Sequence, residues 1–342
     1  MIREVRLGLI GFGNVGQGLA QILKESREEY KEKFGLDLKI TAISDARIGN
    51  LYDPDGLDAG DLLDHVSKNG SLKHHPAAKH GWDALTLIRE CNADVIVEMS
   101  YTDLKTGQPA TDHVIEALTQ KKHVVTSNKG PVALHFSRLN ALAEANGVQI
   151  GVEGTVMSGT PTLRLAREIL AAGKIRKIMG IFNGTTNYIL TQMESGMNYA
   201  DALAEAQKLG YAEADPTGDV EGFDAAGKVV ILARLVMNEP ISMEEVDRTG
   251  ISKLTLADIN TAKAAGERWK LIGSLEVVDG KLAASVKPQR LPITHPLAGV
   301  SGATNAAHFV TDYVGEVTLI GPGAGRLPTG YAVIEDILAI YR

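Results

Sequence analysis

Apolar positions along the first 150 residues fall into short runs separated by helical stripes. Val5 to Ile10 is a compact run of strand length, and from Asn14 to Lys33 the residues Leu19, Ile22 and Leu23 recur on one helical face. Leu38 to Ser44 reads as a second strand. A polar, glycine-rich stretch from Gly49 to Gly81, which holds His74, His75 and His80, reads as a solvated insertion. The alternation then resumes. Asp94 to Glu98 and His123 to Thr126 are predicted strands, Asp112 to Gln120 a helix, and Pro131 to Asn146 a helix closed by Gly147. Val148 to Val152 completes the series. Strands and helices alternating at this size predict a parallel sheet wound on both faces, with ligands at the carboxyl ends of its strands.

The rhythm changes near residue 150. Gly151 to Pro161 is a glycine-rich bend, with Thr160 the predicted N-cap, Pro161 the first helical residue and Gly173 the helix end. Lys174 to Phe182 reads as a strand of a new sheet, and further strands are expected within Leu271 to Val286. Helices are predicted after Asn183-Gly184-Thr185-Thr186-Asn187 and over Tyr199 to Lys208. Thr318 to Ile320 leads as a strand into a glycine-rich turn, and a last helix carries Val333, Ile334, Ile337 and Leu338 on its apolar face. The expected organisation is a Rossmann-type, doubly wound α/β domain over residues 1–150 and about 318–342, with an α+β substrate and dimerisation domain over 151–317.

Three places in the first half carry chemistry. Gly11-Phe12-Gly13-Asn14-Val15-Gly16 is G-x-G-x-x-G between a strand and a long helix, the context a dinucleotide-binding turn requires. Gly11 permits the tight turn, Gly13 lets a pyrophosphate approach the backbone, and Gly16 lets helix and strand pack closely. The amides at the helix start then face the phosphates. At the end of the second strand, Asp45 would hold the ribose hydroxyls of NAD, whereas Arg47 would hold the 2′-phosphate of NADP. The two residues leave that choice open. Lys129, in Ser127-Asn128-Lys129-Gly130, follows a strand ending at Thr126, which would point it into the ligand crevice, against the plainer reading of a surface lysine on a loop.

The second half has one dense stretch, residues 209–228, which holds Glu213, Asp215, Asp219, Glu221, Asp224 and then Lys228 at the head of an apolar helical run. Asp224 and Lys228 are four apart, hence neighbours on one helical face. A lysine among carboxylates suits proton movement at a small cationic substrate, against the plainer reading of an exposed ion pair. Gly222 to Lys228 also satisfies G-x-x-x-x-G-K. Val229 stands where a phosphate-binding loop needs Ser or Thr, no strand leads in, and the flanking acids repel a triphosphate, so that reading is rejected.

Composition narrows the function. With 42 acidic against 35 basic residues the net charge is −7, so neither nucleic acid nor an anionic membrane is an expected partner. The single cysteine, Cys91, excludes an intrachain disulfide framework and a multi-thiolate zinc site. No stretch approaches ~18 consecutive apolar residues, and the start of the chain lacks a signal-peptide pattern, so a cytoplasmic location is expected.

Taken together these residues resemble homoserine dehydrogenase over most of the chain. The resemblance is carried by the glycine-rich turn, Ser127-Asn128-Lys129, Glu153-Gly154-Thr155-Val156, Asn183-Gly184-Thr185-Thr186-Asn187 and Gly323-Ala324-Gly325. Most specific is Gly210-Tyr211-Ala212-Glu213-Ala214-Asp215-Pro216 leading through Asp219 and Asp224 to Lys228. The family interconverts L-homoserine and L-aspartate 4-semialdehyde with NAD or NADP, on the route to threonine, methionine and isoleucine. The resemblance implies that Lys228 and Lys129 flank the reacting oxygen, that Glu213 and Asp219 hold the substrate, and that Asp224 is a further site carboxylate. It implies cofactor contacts at Gly11, Phe12, Gly13, Asn14, Val15, Gly16, Ser100, Lys129 and Gly325. It also implies a sodium ion near Glu153, Val156, Ser158 and Thr160, with Met157 and Ser158 standing where many relatives have glycine or alanine. A homodimer through the second domain is expected, as is a short form without the C-terminal regulatory module and its feedback control. Residues 98–109 are longer than in many relatives. The alternatives to this family are a non-catalytic NAD(P)-binding regulator, which has no use for the lysines, and a phosphorylating semialdehyde oxidoreductase, which needs a nucleophilic cysteine.

Overall fold

The computed structural model describes residues 2–77 and 79–342, in two compact units: Met1–Gly159 with Gly325–Arg342, and Thr160–Ala324. The first unit runs β1 (Arg3–Ile10), α1 (Asn14–Phe34), β2 (Leu36–Asp45), β3 (Gly49–Leu57), α2 (Ala59–Asn69), β4 (Lys79–His80), α3 (Ala84–Glu90), β5 (Val95–Glu98), α4 (Ala110–Thr119), β6 (His123–Thr126), α5 (Lys129–Asn146) and β7 (Ile150–Gly151). Its seven strands lie in the order β4-β3-β2-β1-β5-β6-β7. From β2 through β7 neighbouring strands pair in parallel, as the alternating pattern predicts. Val95, Ile96 and Val97 are fully buried on both faces, which is why β5 reads as a continuous apolar run. The strand order reverses between β1 and β5, so Gly11 and Met99 leave from adjacent carboxyl ends at the switch point where open α/β sheets bind ligands.

Residues 49–81 correct the expectation of a solvated insertion. β3 pairs antiparallel with β2, and β4 with β3, so the segment extends the sheet. Leu51, Leu57, Leu62 and Leu72 enter the core, but they are spaced singly through a polar, glycine-rich stretch, which hides them in composition. His75 is buried with Nε2 at 2.9 Å from Asp61 Oδ2. Among the described residues, no group of three or more His, Cys, Asp or Glu side chains is placed to hold a metal ion.

The second unit runs α6 (Thr162–Arg164), a π-helical turn over Leu165–Ile169, β8 (Ile175–Ile181), α7 (Gly184–Glu194), α8 (Tyr199–Lys208), α9 (Thr217–Val220), α10 (Phe223–Leu235), β9 (Asp247–Arg248), α11 (Leu256–Ala264), β10 (Glu267–Val278), β11 (Lys281–Pro292), β12 (Thr304–Thr311) and β13 (Glu316–Pro322). Its sheet has the order β13-β12-β8-β10-β11-β9, antiparallel except for the β11–β9 pair. β13 pairs with β12, so residues 318–322, assigned above to the nucleotide domain, are an edge of this second sheet. The helix expected from Pro161 to Gly173 ends at Ile169. Pro161 caps it through its carbonyl, which accepts Leu165 N–H, while Thr160 Oγ1 donates to the Pro322 carbonyl instead.

After β13 the chain returns to the first unit as α12 (Arg326–Tyr341). Val333, Ile334, Ile337 and Leu338 are buried with Leu7, Leu9 and Leu19, in line with the predicted apolar face. α1 and α12 cross closely: a Cβ on Gly18 would sit 2.0 Å from the Arg326 carbonyl oxygen. Ile337→Ala removes a fully buried side chain from this core, and is expected to lower unfolding free energy by about 2–5 kcal/mol in urea denaturation.

Candidate active site

In the first unit the glycine-rich turn fits a dinucleotide by what each Cβ would meet. On Gly11, whose φ is +96°, it would lie 2.7 Å from the Met99 carbonyl oxygen, and on Gly16 2.8 Å from that of Gly11. On Gly13 it would meet nothing within 4 Å. The two outer glycines therefore hold the turn closed, and the middle one presents bare backbone. α1 starts at Asn14 with Gly13 as its cap and no side-chain cap hydrogen bond, which suits an anion at the helix start. Phe12 is fully buried, so its side chain serves the core and only its backbone belongs to the turn.

Asp45 is tied to that turn. Its Oδ2 accepts the Phe12 N–H at 2.7 Å, and its Oδ1 accepts those of Arg47 (2.8 Å) and Ile48 (2.9 Å). Three backbone donors thus fix a carboxylate at the carboxyl end of β2 beside the helix start. Arg47 is exposed. Gly325, at the start of α12, has φ +136°, a conformation side chains rarely adopt.

Lys129 is the first residue of α5, not a loop residue. Asn128 is the N-cap, accepting Gly130 N–H at 3.1 Å, and Pro131 is accommodated in the first turn, where its missing N–H is harmless. A lysine there opposes the helix dipole, a local cost that marks a residue placed for another purpose. Residues 98–109 explain how it is held. Asn128 Nδ2 donates to the carbonyls of Ser100 (3.1 Å) and Tyr101 (3.0 Å). Ser100 in turn donates its N–H (3.2 Å) and its hydroxyl to Glu98 Oε1, which His113 Nδ1 approaches at 3.4 Å. Glu98, fully buried, and Asn128 were not singled out from sequence, since the Asn128 amide bonds carbonyls 27 and 28 residues away and Glu98 meets His113 15 residues on.

Cys91 is buried at the end of α3, on the opposite side of β5 from Glu98 along the chain, and Lys122 Nζ donates to its carbonyl at 2.6 Å. Turnover by Cys91→Ser is expected to equal that of the native protein in a steady-state assay, because the buried thiol meets core side chains and Lys122 Nζ (3.5 Å), away from the carboxyl ends of the strands.

In the second unit, Lys228 stands in the middle of α10 with its side chain 8% exposed. Its Nζ donates to Asp224 Oδ2 at 2.7 Å and to the Phe182 carbonyl at 2.5 Å, at the end of β8. Asp219 and Asp224 are joined by Asn183, whose Nδ2 donates to Asp219 Oδ1 (2.7 Å) and Asp224 Oδ2 (2.9 Å). Burial pushes the Asp219 carboxyl above the ordinary carboxylate range, and the neighbouring Asp224 adds to this; Asn183, Lys228 and Thr185 pull the other way. Asp219, Asp224 and Lys228 therefore form one hydrogen-bonded array. Glu213 is exposed in the preceding turn, with its backbone carbonyl bound by Gln207 Nε2 at 3.0 Å, and its carboxylate is not in the array's hydrogen bonds.

The remaining candidates lie at the bend. Glu153, Val156, Ser158 and Thr160 are buried, and Met157 and Ser158 take φ values of +60° and +55°, the region that glycine fills more readily. Ser158 Oγ and Thr329 Oγ1 share a hydrogen bond of 2.7 Å.

Comparison with known proteins gives consistent results. Residues 161–338 match the sequence family described as homoserine dehydrogenase, and residues 11–153 the family described as homoserine dehydrogenase, NAD binding domain. The chain is 45% identical to the NAD(+)-dependent homoserine dehydrogenase of Pseudomonas canavaninivorans, covering 99% of this chain and 97% of that one. Among solved structures it is similar to a homoserine dehydrogenase from Thiobacillus denitrificans, at 34% identity and a TM-score of 0.86, covering 100% of this chain and 74% of that one. It is also similar to a hyperthermophilic archaeal homoserine dehydrogenase in complex with NADPH, at 32% identity and a TM-score of 0.85, covering 99% and 98%.

Proposed function

The chain belongs to the homoserine dehydrogenase family, and from that premise we propose how its residues divide the work. It is an NAD(P)-dependent oxidoreductase interconverting L-homoserine and L-aspartate 4-semialdehyde. The cofactor, when bound, supplies the hydride chemistry. The chain must bind the amino acid, steady the oxygen whose charge changes, and move one proton.

Lys228 is the proton carrier. The observation behind this is its pair of fixed acceptors, Asp224 Oδ2 and the Phe182 carbonyl. An ammonium has three donors; with two directed into the protein, the third is the one for the substrate oxygen. In reduction of the aldehyde, that N–H bond breaks and an O–H bond forms as negative charge develops on oxygen. In oxidation of homoserine the proton returns along the same path. Lys129 serves as the second cation at that oxygen. Asp219 and Glu213 accept the substrate's ammonium, as its three N–H donors require.

The glycine-rich turn Gly11 to Gly16, with Ser100 and Gly325, holds the nucleotide. Asp45, fixed by three backbone donors, favours NAD over NADP, and the NAD(+)-dependent relative supports the same preference. Glu153, Val156, Ser158 and Thr160 would offer sodium one carboxylate and otherwise neutral oxygens, a donor set with too little charge for a tightly held divalent ion. A cytoplasmic homodimer formed through the second unit completes the proposal; exposed Ile320 on the edge strand β13 supports it.

The test is to follow absorbance of the reduced cofactor while the purified protein meets aspartate semialdehyde with NADH and, separately, NADPH. Consumption of the reduced cofactor with formation of homoserine is the expected result. Cofactor binding without turnover would instead make the protein a nucleotide-binding regulator.

A further inference from the structure

We propose that Asn183 is a positioning residue for this reaction, its side-chain amide holding Asp219 and Asp224 together as acceptors for the substrate's ammonium and for Lys228. The inference rests on the reading of the Lys228 array above and extends it to a residue that touches none of the reacting atoms.

Chemistry fixes which end of the amide faces the acids. Asn183 Oδ1 accepts the Thr186 backbone N–H at 2.9 Å, and a backbone amide can only donate. The NH2 end therefore faces the carboxylates, and its two hydrogens match the two acceptors, Asp219 Oδ1 at 2.7 Å and Asp224 Oδ2 at 2.9 Å. Asp224 Oδ2 also receives Lys228 Nζ at 2.7 Å, so a single oxygen joins the amide to the ammonium. The residue is 5% exposed, which leaves its amide little solvent alternative.

Charge explains why this residue is an amide. Two carboxylates against one ammonium leave the array one negative charge in excess, the complement of a substrate ammonium. A cationic residue at position 183 would bridge the acids equally well and cancel that excess. An acid would raise the repulsion instead. A neutral double donor bridges them and leaves the charge for the ligand. The groups facing Asp219 are Asp224 and Lys228 from α10, and Asn183 and Thr185 from the start of α7. Burial and Asp224 raise the Asp219 carboxyl, while the amide lowers it. Removing the amide therefore favours protonated Asp219, and activity that needs the ionised form would be lost at higher pH than before.

Asn183 is also the N-cap of α7, so variants must keep that role. Asn183→Ser and Asn183→Asp both accept the Thr186 N–H; the serine variant is expected to unfold within a few degrees of the native protein, the aspartate variant lower, because a third carboxylate then meets two partly buried ones. Asn183→Ser is expected to lower kcat/KM for homoserine by about 10-fold, from loss of hydrogen bonds to charged groups, with the KM for cofactor unchanged. Asn183→Asp is expected to lower it further and to move the acid limb of the kcat/KM profile up by about one pH unit, the direction a third carboxylate imposes. Native rates and an unmoved acid limb in both variants would overturn the inference and leave Asn183 a helix cap. Failure of Asn183→Ser to fold would overturn it too, by making the contact structural. If the native protein itself turns over no homoserine, it is the functional reading that fails, and this inference with it.

Discussion

Lys228→Ala is expected to lose about 10²–10⁴-fold in kcat, the range over which a positioned proton carrier contributes, while still binding cofactor. The reason is local. The Lys228 ammonium is buried and held by Asp224 and the Phe182 carbonyl, and alanine offers no donor in its place. The glycine-rich turn belongs to the other compact unit and keeps its nucleotide fit. Arginine should not rescue, because a guanidinium does not give up its proton and its planar fork does not match two acceptors arranged around a point charge. The variant also leaves Asp224 and Asp219 without their cation, so a lowered unfolding midpoint is expected beside the kinetic loss. Steady-state rates with both substrates, read beside cofactor titration by fluorescence, check this. Unimpaired turnover in a protein that binds cofactor would remove Lys228 from the chemistry.

The second large effect concerns the nucleotide. The native enzyme is expected to favour NAD, and Asp45→Ser is expected to lower the ratio of kcat/KM for NAD over NADP by about 10–100-fold, which is one charge-assisted hydrogen bond of 1.5–3 kcal/mol. Asp45 is held by the N–H groups of Phe12, Arg47 and Ile48, so it cannot swing away from a 2′-phosphate that meets it as a like charge. Serine removes that charge and leaves exposed Arg47 as the nearby cation for the phosphate. The four kcat/KM values, two cofactors on two proteins, decide the matter. A native preference for NADP that the variant leaves untouched would contradict the assignment.

What could be read from the residues alone follows the range of the forces involved. β1, the glycine turn, α1 and the apolar face of α12 were legible because each is set by neighbours a few positions away. The pairing of Asp224 with Lys228 was legible for the same reason, since four residues make one helical turn. Residues 49–81 were misread because their buried leucines are scattered singly over an antiparallel strand (Leu51, Leu57), a helix (Leu62) and a bend (Leu72), so no stretch shows a sustained apolar period. The helix after Pro161 was overextended because the Thr160 hydroxyl bonds Pro322, 162 residues away, and the last turn widens into a π-helix. Asn183 was visible as part of a motif but not as a bridge, since its acceptors lie 36 and 41 residues downstream. Glu98 read as the last residue of a strand, and only the fold brings His113, 15 residues on, against its carboxylate.

The most direct test is a crystal structure of the enzyme with homoserine and oxidised cofactor bound together. The account predicts the homoserine hydroxyl at about 2.7–3.2 Å from the nitrogen of Lys228, with Lys129 as its other cation and Asp219 on the substrate's ammonium. A hydroxyl that rests away from both lysines, with Lys228 engaged only by Asp224 and Phe182, would contradict it.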